Sequence, residues 1–310
     1  MNFDFFSDLA DELQRILLEA GLNVPTYEQL RSQDQRSEEL KSKILHYDLS
    51  NLLLHFFTVF SRRLPVIPWH VHVSDRLLGR NEAIDIAKKL ERGEDVNGLL
   101  SKRVKKLNQA KYSDLLRSEW DIYHFHLNEN RSDELLFIYF SENNAYLIDI
   151  LKHEKPDVSI ITWTNTELFQ ILHDNWPHVI KAFILNNDCE APVLTSEQRR
   201  SLRSKSVNAS VVMSDGTEYM PMGGGFSPSK HPISAVAQSD FLYLTVKSLQ
   251  ADVGANYFAI EQALAEYTST PRLKLKLDDD FHPVIVEVGN GILLNLRASN
   301  KTHNKLLHSE

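Results

Sequence analysis

At 310 residues, the chain is long enough for about two domains. Its 42% hydrophobic and 25% charged content is that of an ordinary globular protein, and a net charge of −8 excludes an overall basic signature of nucleic-acid binding, so local patches must carry any such function. The single cysteine, Cys189, excludes an intramolecular disulfide framework and a zinc–cysteine cluster.

The acidic start, MNFDFFSDLADELQ, lacks the basic opening and long apolar stretch of a signal peptide. Helical spacing runs over residues 3–20 and ends near Gly21. A second helix is expected over 37–63, where Leu40, Ile44, Leu52, Phe56, Phe60 and Leu64 recur mostly four apart. Its run NLLLHFFTVF is the longest apolar stretch and is too short to span a bilayer, so a cytoplasmic protein is expected, without a membrane partner. The strand-like VIPWHVHVS follows, then a helix in RNEAIDIAKKLERG stopped by Gly93. Next comes LLSKRVKKLNQAKYSDLLR, with six Lys or Arg against one Asp.

Residues 120–153, WDIYHFHLNENRSDELLFIYFSENNAYLIDILKH, hold three of the thirteen histidines. At period two, Trp120, Ile122, His124 and His126 share one strand face, and Asp121, Tyr123, Phe125 and Leu127 share the other. The Tyr/Phe/Leu side suits a core, which turns both imidazoles toward a groove or solvent. LNENRSDE is a loop by composition, LLFIYF a central strand covered on both sides, SENN a turn, and AYLIDILKH a third strand. The expected object is an antiparallel three-strand meander with His126, Arg131 and His153 near strand ends.

Beyond it, TNTELFQILHDNWPHVIKAFI predicts a helix broken at Pro177, with Trp176 packed under the sheet. The polar stretch from about Asn187, NNDCEAPVLTSEQRRSLRSKS, suggests a domain boundary. A hairpin is signalled by Asp215-Gly216. GGGFSPSKHP lacks the G-K-[ST] ending of a phosphate loop and reads as a mobile loop. A long helix is expected from Pro232 to about Tyr267, its stripe of Leu242, Val246, Leu249, Val253, Tyr257, Ile260 and Leu264 serving as core or as a homodimer seam over 242–264. RLKLKL, HPVIVEV and ILLNLR form a second meander in which Arg272, Lys274 and Lys276 line a solvated face.

The meander after a basic segment, with HLNENRSDELLFIYF before DILKH, resembles the RelE/YafQ superfamily of small bacterial ribonuclease toxins over roughly residues 95–155. That resemblance implies a compact sheet with flanking helices, cleavage of RNA, usually on the ribosome, and no cofactor. Carried onto this chain, His126 and His153 become acid and base, Arg131 binds the phosphate, and His124 assists. Such chemistry needs a base, an acid and a cation near the phosphorane, which two imidazoles and a guanidinium supply near neutrality. Lys102, Arg103, Lys105, Lys106, Lys111 and Arg117 would hold the RNA backbone. The motifs W-x-I-x-H-x-H-L and N-W-P also resemble an uncharacterised bacterial protein family.

Two other readings stand beside this one. His124 and His126 share a spacing that can chelate a metal, with His153, His173 or Asp174 as third ligand; His70 and His72 repeat that spacing. Strand histidines at a sheet edge also serve as plain structural polar residues. Taken together, the expectation is an α+β protein with a helical N-terminal region (1–63), a RelE-like antiparallel sheet domain with flanking helices (64–186) and a regulatory or oligomerising α+β domain (187–310). The expected function is a metal-independent endoribonuclease of toxin or phage-defence type, partnered by RNA and by an antitoxin or defence-complex protein. The rival is a non-catalytic interaction module of such a complex.

Overall fold

The computed structural model describes residues 3–33, 37–101, 114–130, 132–153, 162–190 and 192–294, and these residues form an α+β protein. Helix α1 (Phe5–Glu19) starts at Asp4, whose carboxylate accepts the amides of Phe6 and Ser7, and it buries Phe5, Leu9, Leu13 and Leu17 at four-residue spacing. Helices α2 (Tyr27–Gln33), α3 (Glu38–Ser42) and α4 (Tyr47–Phe60) follow. The continuous helix expected over 37–63 is therefore broken. His46 takes a left-handed backbone (φ 50°), and its ring stacks on Phe6 at 4.3 Å. That contact offsets the strain of a non-glycine residue at positive φ and lets α4 present Leu49, Leu52, Leu53 and Phe56 to the core.

The central sheet uses β1 (His70–Val73), then, after α5 (Asn81–Glu91) and α6 (Leu115–Trp120), the strands β2 (Ile122–His126), β3 (Glu134–Ser141) and β4 (Asn144–Lys152). Its strand order is β1-β4-β3-β2. The expected meander is present, with β2–β3 and β3–β4 antiparallel, but β1 joins β4 in parallel and makes the sheet mixed. Both faces are packed. Tyr123, Phe125, Leu136, Ile138 and Leu147 meet Ala83, Ile86 and Leu90 of α5. On the other face, Ile122, Leu135, Phe137, Tyr139 and Ile148 meet Trp120 and Leu168, Phe169 and Leu172 of α7 (Glu167–Asn175). The face that carries His124 and His126 is thus a second core layer, not an open groove, because α7 covers it.

Helix α7 ends at Trp176, which packs on Tyr146 at 5.1 Å, and Pro177 opens α8 (Pro177–Ile180). A small antiparallel sheet, β5-β7-β6, joins β5 (Ile184–Asn186) to β6 (Val211–Val212) and β7 (Glu218–Tyr219), with Gly216 at φ +86° in the β6–β7 turn. Between them, α9 (Ser196–Ser204) carries a capping box of Thr195 and Gln198. The cores do not divide at 187: Val211, Met213, Tyr219 and Met222 share one apolar cluster with the central sheet, and β5 pairs with β7 across that position.

The long helix α10 (Ile233–Ala255) is separated by Asn256 from α11 (Tyr257–Leu264), and β8 (Leu273–Leu277), β9 (Pro283–Glu287) and β10 (Ile292–Leu294) complete an antiparallel sheet. In β8, Leu273, Leu275 and Leu277 are buried while Lys274 and Lys276 are exposed, as the alternation requires. Leu242, Val246, Val253, Ile260 and Leu264 lie in the core shared by α1 and α4, so intrachain packing occupies the stripe that offered a 242–264 dimer seam. No helix among the described residues is long and apolar enough to cross a membrane.

The glycine loop after β7 is docked. The Gly223 amide donates to the Glu119 carbonyl and the Gly225 amide to the Ser118 carbonyl, capping the end of α6. A Cβ on Gly223 would collide with the Arg117 and Ser118 carbonyl oxygens, so the close backbone approach requires glycine there.

Candidate active site

The ends of β2 and β4 lie at the same end of the sheet, because β3 runs antiparallel to both. The register pairs His126 with Leu135, Leu135 with Leu151, and Glu134 with Lys152, and the His153 amide donates to the Asp133 carbonyl at 2.6 Å. His126 and His153 are thereby brought to 6.2 Å between ring centroids, nearly parallel at 14°. His126 is 7% exposed, while His153 is half-buried. The His126 Nδ1 lies 3.3 Å from the Ser132 carbonyl oxygen. A carbonyl can only accept, so this contact puts the proton on Nδ1 and makes Nε2 the unprotonated nitrogen of the neutral ring. Ser132 also closes the loop: its hydroxyl accepts the Leu127 amide and donates to the Glu134 carbonyl.

Trp163 completes the cluster. Its ring meets His153 at 5.5 Å and His124 at 5.0 Å, both edge-to-face, and sits 6.4 Å from Phe137. Behind it, the Arg203 guanidinium donates to the Trp163 carbonyl and to Glu119 Oε2, and lies over the Trp120 ring at 4.8 Å. Arg199 Nη1 is 3.9 Å from the same Glu119 carboxylate, and Arg199 Nη2 donates to the Ser210 carbonyl. All three charged side chains are buried. Helices α6 and α9 are thus locked beneath the tryptophan.

His124 is engaged elsewhere. Its Nδ1 lies 3.1 Å from Asp114 Oδ2, a contact of ion-pair length. Burial works to raise the Asp114 pKa, but His124, Arg62 and the Arg117 amide together hold it well below the usual carboxylate range. The cavity at this pair, lined by Arg62, Ser101, Arg117 and Tyr123, is about 30 Å³, room for a water but not for a base. His124 as helper to the other two histidines is therefore replaced by His124 as partner of a half-buried carboxylate.

Arg117 is also drawn inward. It donates to the Tyr123 hydroxyl at 2.6 Å and to Ser61 Oγ at 3.3 Å, and its guanidinium stands 4.4 Å over the Tyr123 ring. Its side chain is 18% exposed, so it packs α6 against β2 and does not face an RNA backbone. Lys102, Arg103, Lys105, Lys106, Lys111 and Arg131 lie outside the described residues.

Of the other metal-reading residues, His173 meets the Tyr219 hydroxyl at 2.8 Å and Asp215 at 3.1 Å, and His72 stacks on Tyr146 and bonds Asn144. Among the described residues, no group of three or more His, Cys, Asp or Glu is placed to hold a metal ion.

Sequence reasoning missed Trp163 and Ser132 beside the two histidines, and Asp114 as the partner of His124. The signals were an isolated tryptophan in the polar stretch ten residues after His153 and the single acid of the basic segment. It also passed over Lys88, Lys89 and Arg92. They line a groove of about 460 Å³ between α5 and residues 127–129, directly after His126, which they share with Asp85, Glu94 and Glu129. No protein-family model, curated protein or solved structure matches the chain.

Proposed function

We propose that the protein is a metal-independent endoribonuclease of bacterial toxin or phage-defence type. The observation that carries this reading is the approach of His126 and His153 to 6.2 Å from the ends of two different strands. In this mechanism, His126 Nε2 takes the proton of the ribose 2′-hydroxyl, which attacks the adjacent phosphorus. The more accessible His153, protonated, gives its proton to the departing 5′-oxygen, leaving a 2′,3′-cyclic phosphate and a 5′-hydroxyl end. Both proton transfers are met by the imidazole pair. The Ser132 carbonyl holds the tautomer that makes His126 a base. Arg131 is the proposed phosphate ligand, RNA on or off the ribosome the substrate, and an antitoxin or defence-complex protein the restraining partner.

The burial of His126 favours a second reading, in which the cluster is structural and the chain is a non-catalytic interaction module. Incubating RNA with the purified chain in excess chelator separates the two. Under the nuclease reading, RNA is cut to cyclic-phosphate ends with a bell-shaped pH profile. His126→Asn or His153→Asn each lowers the rate by a factor on the order of 10² to 10⁴ with the fold intact by circular dichroism. Parent-level cleavage by both folded variants, or no cleavage by the parent chain, assigns the cluster to packing.

A further inference from the structure

We propose that the outward face of α10 is the seam of an antiparallel homodimer. A helix packed on one side of a domain keeps its apolar residues on that side. Helix α10 carries two apolar stripes. The inward one, Ala235, Ser239, Leu242, Val246 and Val253, is buried in the chain's own core. The second consists of Ala237, Phe241, Leu244, Ser248, Ala251 and Ala255, and all six are exposed. Each lies two residues from its inward counterpart, about 200° around the helix, and so on the opposite face. Phe241 and Leu244 are 63% and 59% exposed, large apolar side chains on a regular helix without a covering element among the described residues.

The spacing of the outward stripe is 4, 3, 4, 3, 4. That is the alternation of a coiled-coil seam, broader surface stripes being irregular. The stripe is also self-complementary on reversal. With a two-fold axis at Leu244, Leu244 meets its own copy, Phe241 faces Ser248 of the partner subunit, and Ala237 faces Ala251 of the partner subunit. The one aromatic ring, Phe241, then lies against a small side chain, and the Ala237–Ala251 pairs let the two helices approach closely. The flanks agree. Asp240 and Lys247 occupy equivalent exposed positions one heptad apart, on the same edge of the stripe. In the antiparallel arrangement this edge meets itself, and each Asp240 faces Lys247 of the partner subunit, giving two opposite-charge pairs from one isologous contact. A parallel pairing would place Phe241 on its own copy and Asp240 opposite a threonine.

Sedimentation velocity on the full chain across a concentration series tests the seam. A dimer is expected, and Phe241→Glu with Leu244→Glu should convert it to a monomer that melts as the parent does at dilutions where the parent is itself monomeric, since both residues are exposed. Asp240→Lys alone should weaken association by about 10-fold, and Asp240→Lys with Lys247→Asp should restore it, because the swap regenerates both pairs. Orientation is read by oxidation in a Cys189→Ser background. Ala237→Cys with Ala251→Cys should cross-link. Ala237→Cys alone should not, its two copies lying about 21 Å apart in an antiparallel pair. A chain that stays monomeric, a charge swap that fails to restore association, or cross-linking by Ala237→Cys alone overturns the proposal. So does a Phe241→Glu chain that melts lower than the parent at such dilutions, which would show the face covered from within the chain.

Discussion

Replacing Glu119 by Gln removes the one negative charge held between two buried guanidiniums. Arg203 Nε donates to Glu119 at 2.5 Å, and Arg199 Nη1 is 3.9 Å away. Two unit charges 4 Å apart attract by about 4 kcal/mol at an effective dielectric of 20. Burial keeps Arg199 from ordinary hydration and already lowers its pKa, with the nearby Glu119 acting to raise it. Glu119→Gln keeps the volume and an acceptor oxygen but leaves two cations facing each other without an anion. Breaking a buried pair from one side in this way costs about 3–5 kcal/mol. Urea denaturation measures it, followed by tryptophan fluorescence, because Trp120 lies beneath both guanidiniums. The midpoint should fall while the slope with urea stays constant. Adding Arg203→Met to the same chain should recover part of the loss, since the second cation is then gone and the coupling between the two sites becomes measurable. A loss below about 1 kcal/mol for Glu119→Gln would refute the view that α6 and α9 are joined by this charge cluster.

Burial first, then the charges of Arg62 and His231, push the His55 pKa down to about 4. The unfolded chain therefore takes up a proton below about pH 6.5 that the folded one refuses. Stability should be full above pH 6.5 and decline by about 3 kcal/mol as pH falls toward 4; His55→Gln should flatten that limb in urea titrations at stepped pH. Gly223→Ala should cost at least about 2 kcal/mol by driving a methyl into two backbone carbonyls, a loss that thermal denaturation will read and that Gly224→Ala, with open space around it, should not reproduce in full. Phe56→Ala removes a fully buried ring that stacks on Phe60 and meets Phe281 edge-on, and should lower stability by about 3–5 kcal/mol in the same assay.

Strands β2, β3 and β4 were legible because apolar runs of strand length, separated by a polar loop and a compact turn, specify a local antiparallel meander, and the strand-end register then carries His126 and His153 together. The parallel partner β1 was legible as a strand but not as a neighbour of β4, since a parallel pair is joined by a long crossover that no local pattern encodes. The packing of α9 was misread for a different reason. Arg199 and Arg203 look like a solvated, linker-like run, and only Glu119, 80 and 84 positions away, turns them into interior residues. His124 failed likewise. Its strand phase was right, but covering by α7 and the draw of Asp114 decide what an imidazole on that face can do. Helix breaks at His46 and Asn256 went unseen because neither position carries proline or glycine, the usual markers of such a break.

The interlocking of the chain's two ends has a consequence for its synthesis. The Phe5 amide donates to Gln250 Oε1, 245 positions later, and the Leu275 amide to Asp8, 267 positions earlier. At ribosomal rates of about 5–20 residues per second, Phe5 emerges roughly 12–50 s before Gln250, its partner on α10. Helix α4 can pack on α1 early, and the sheet of residues 122–152 can close as it leaves the exit tunnel, but the side of α1 that meets α10 and β8 must wait in the open. The nascent chain thus carries a half-covered apolar helix through most of translation, which makes it a natural client for a chaperone that binds exposed apolar segments.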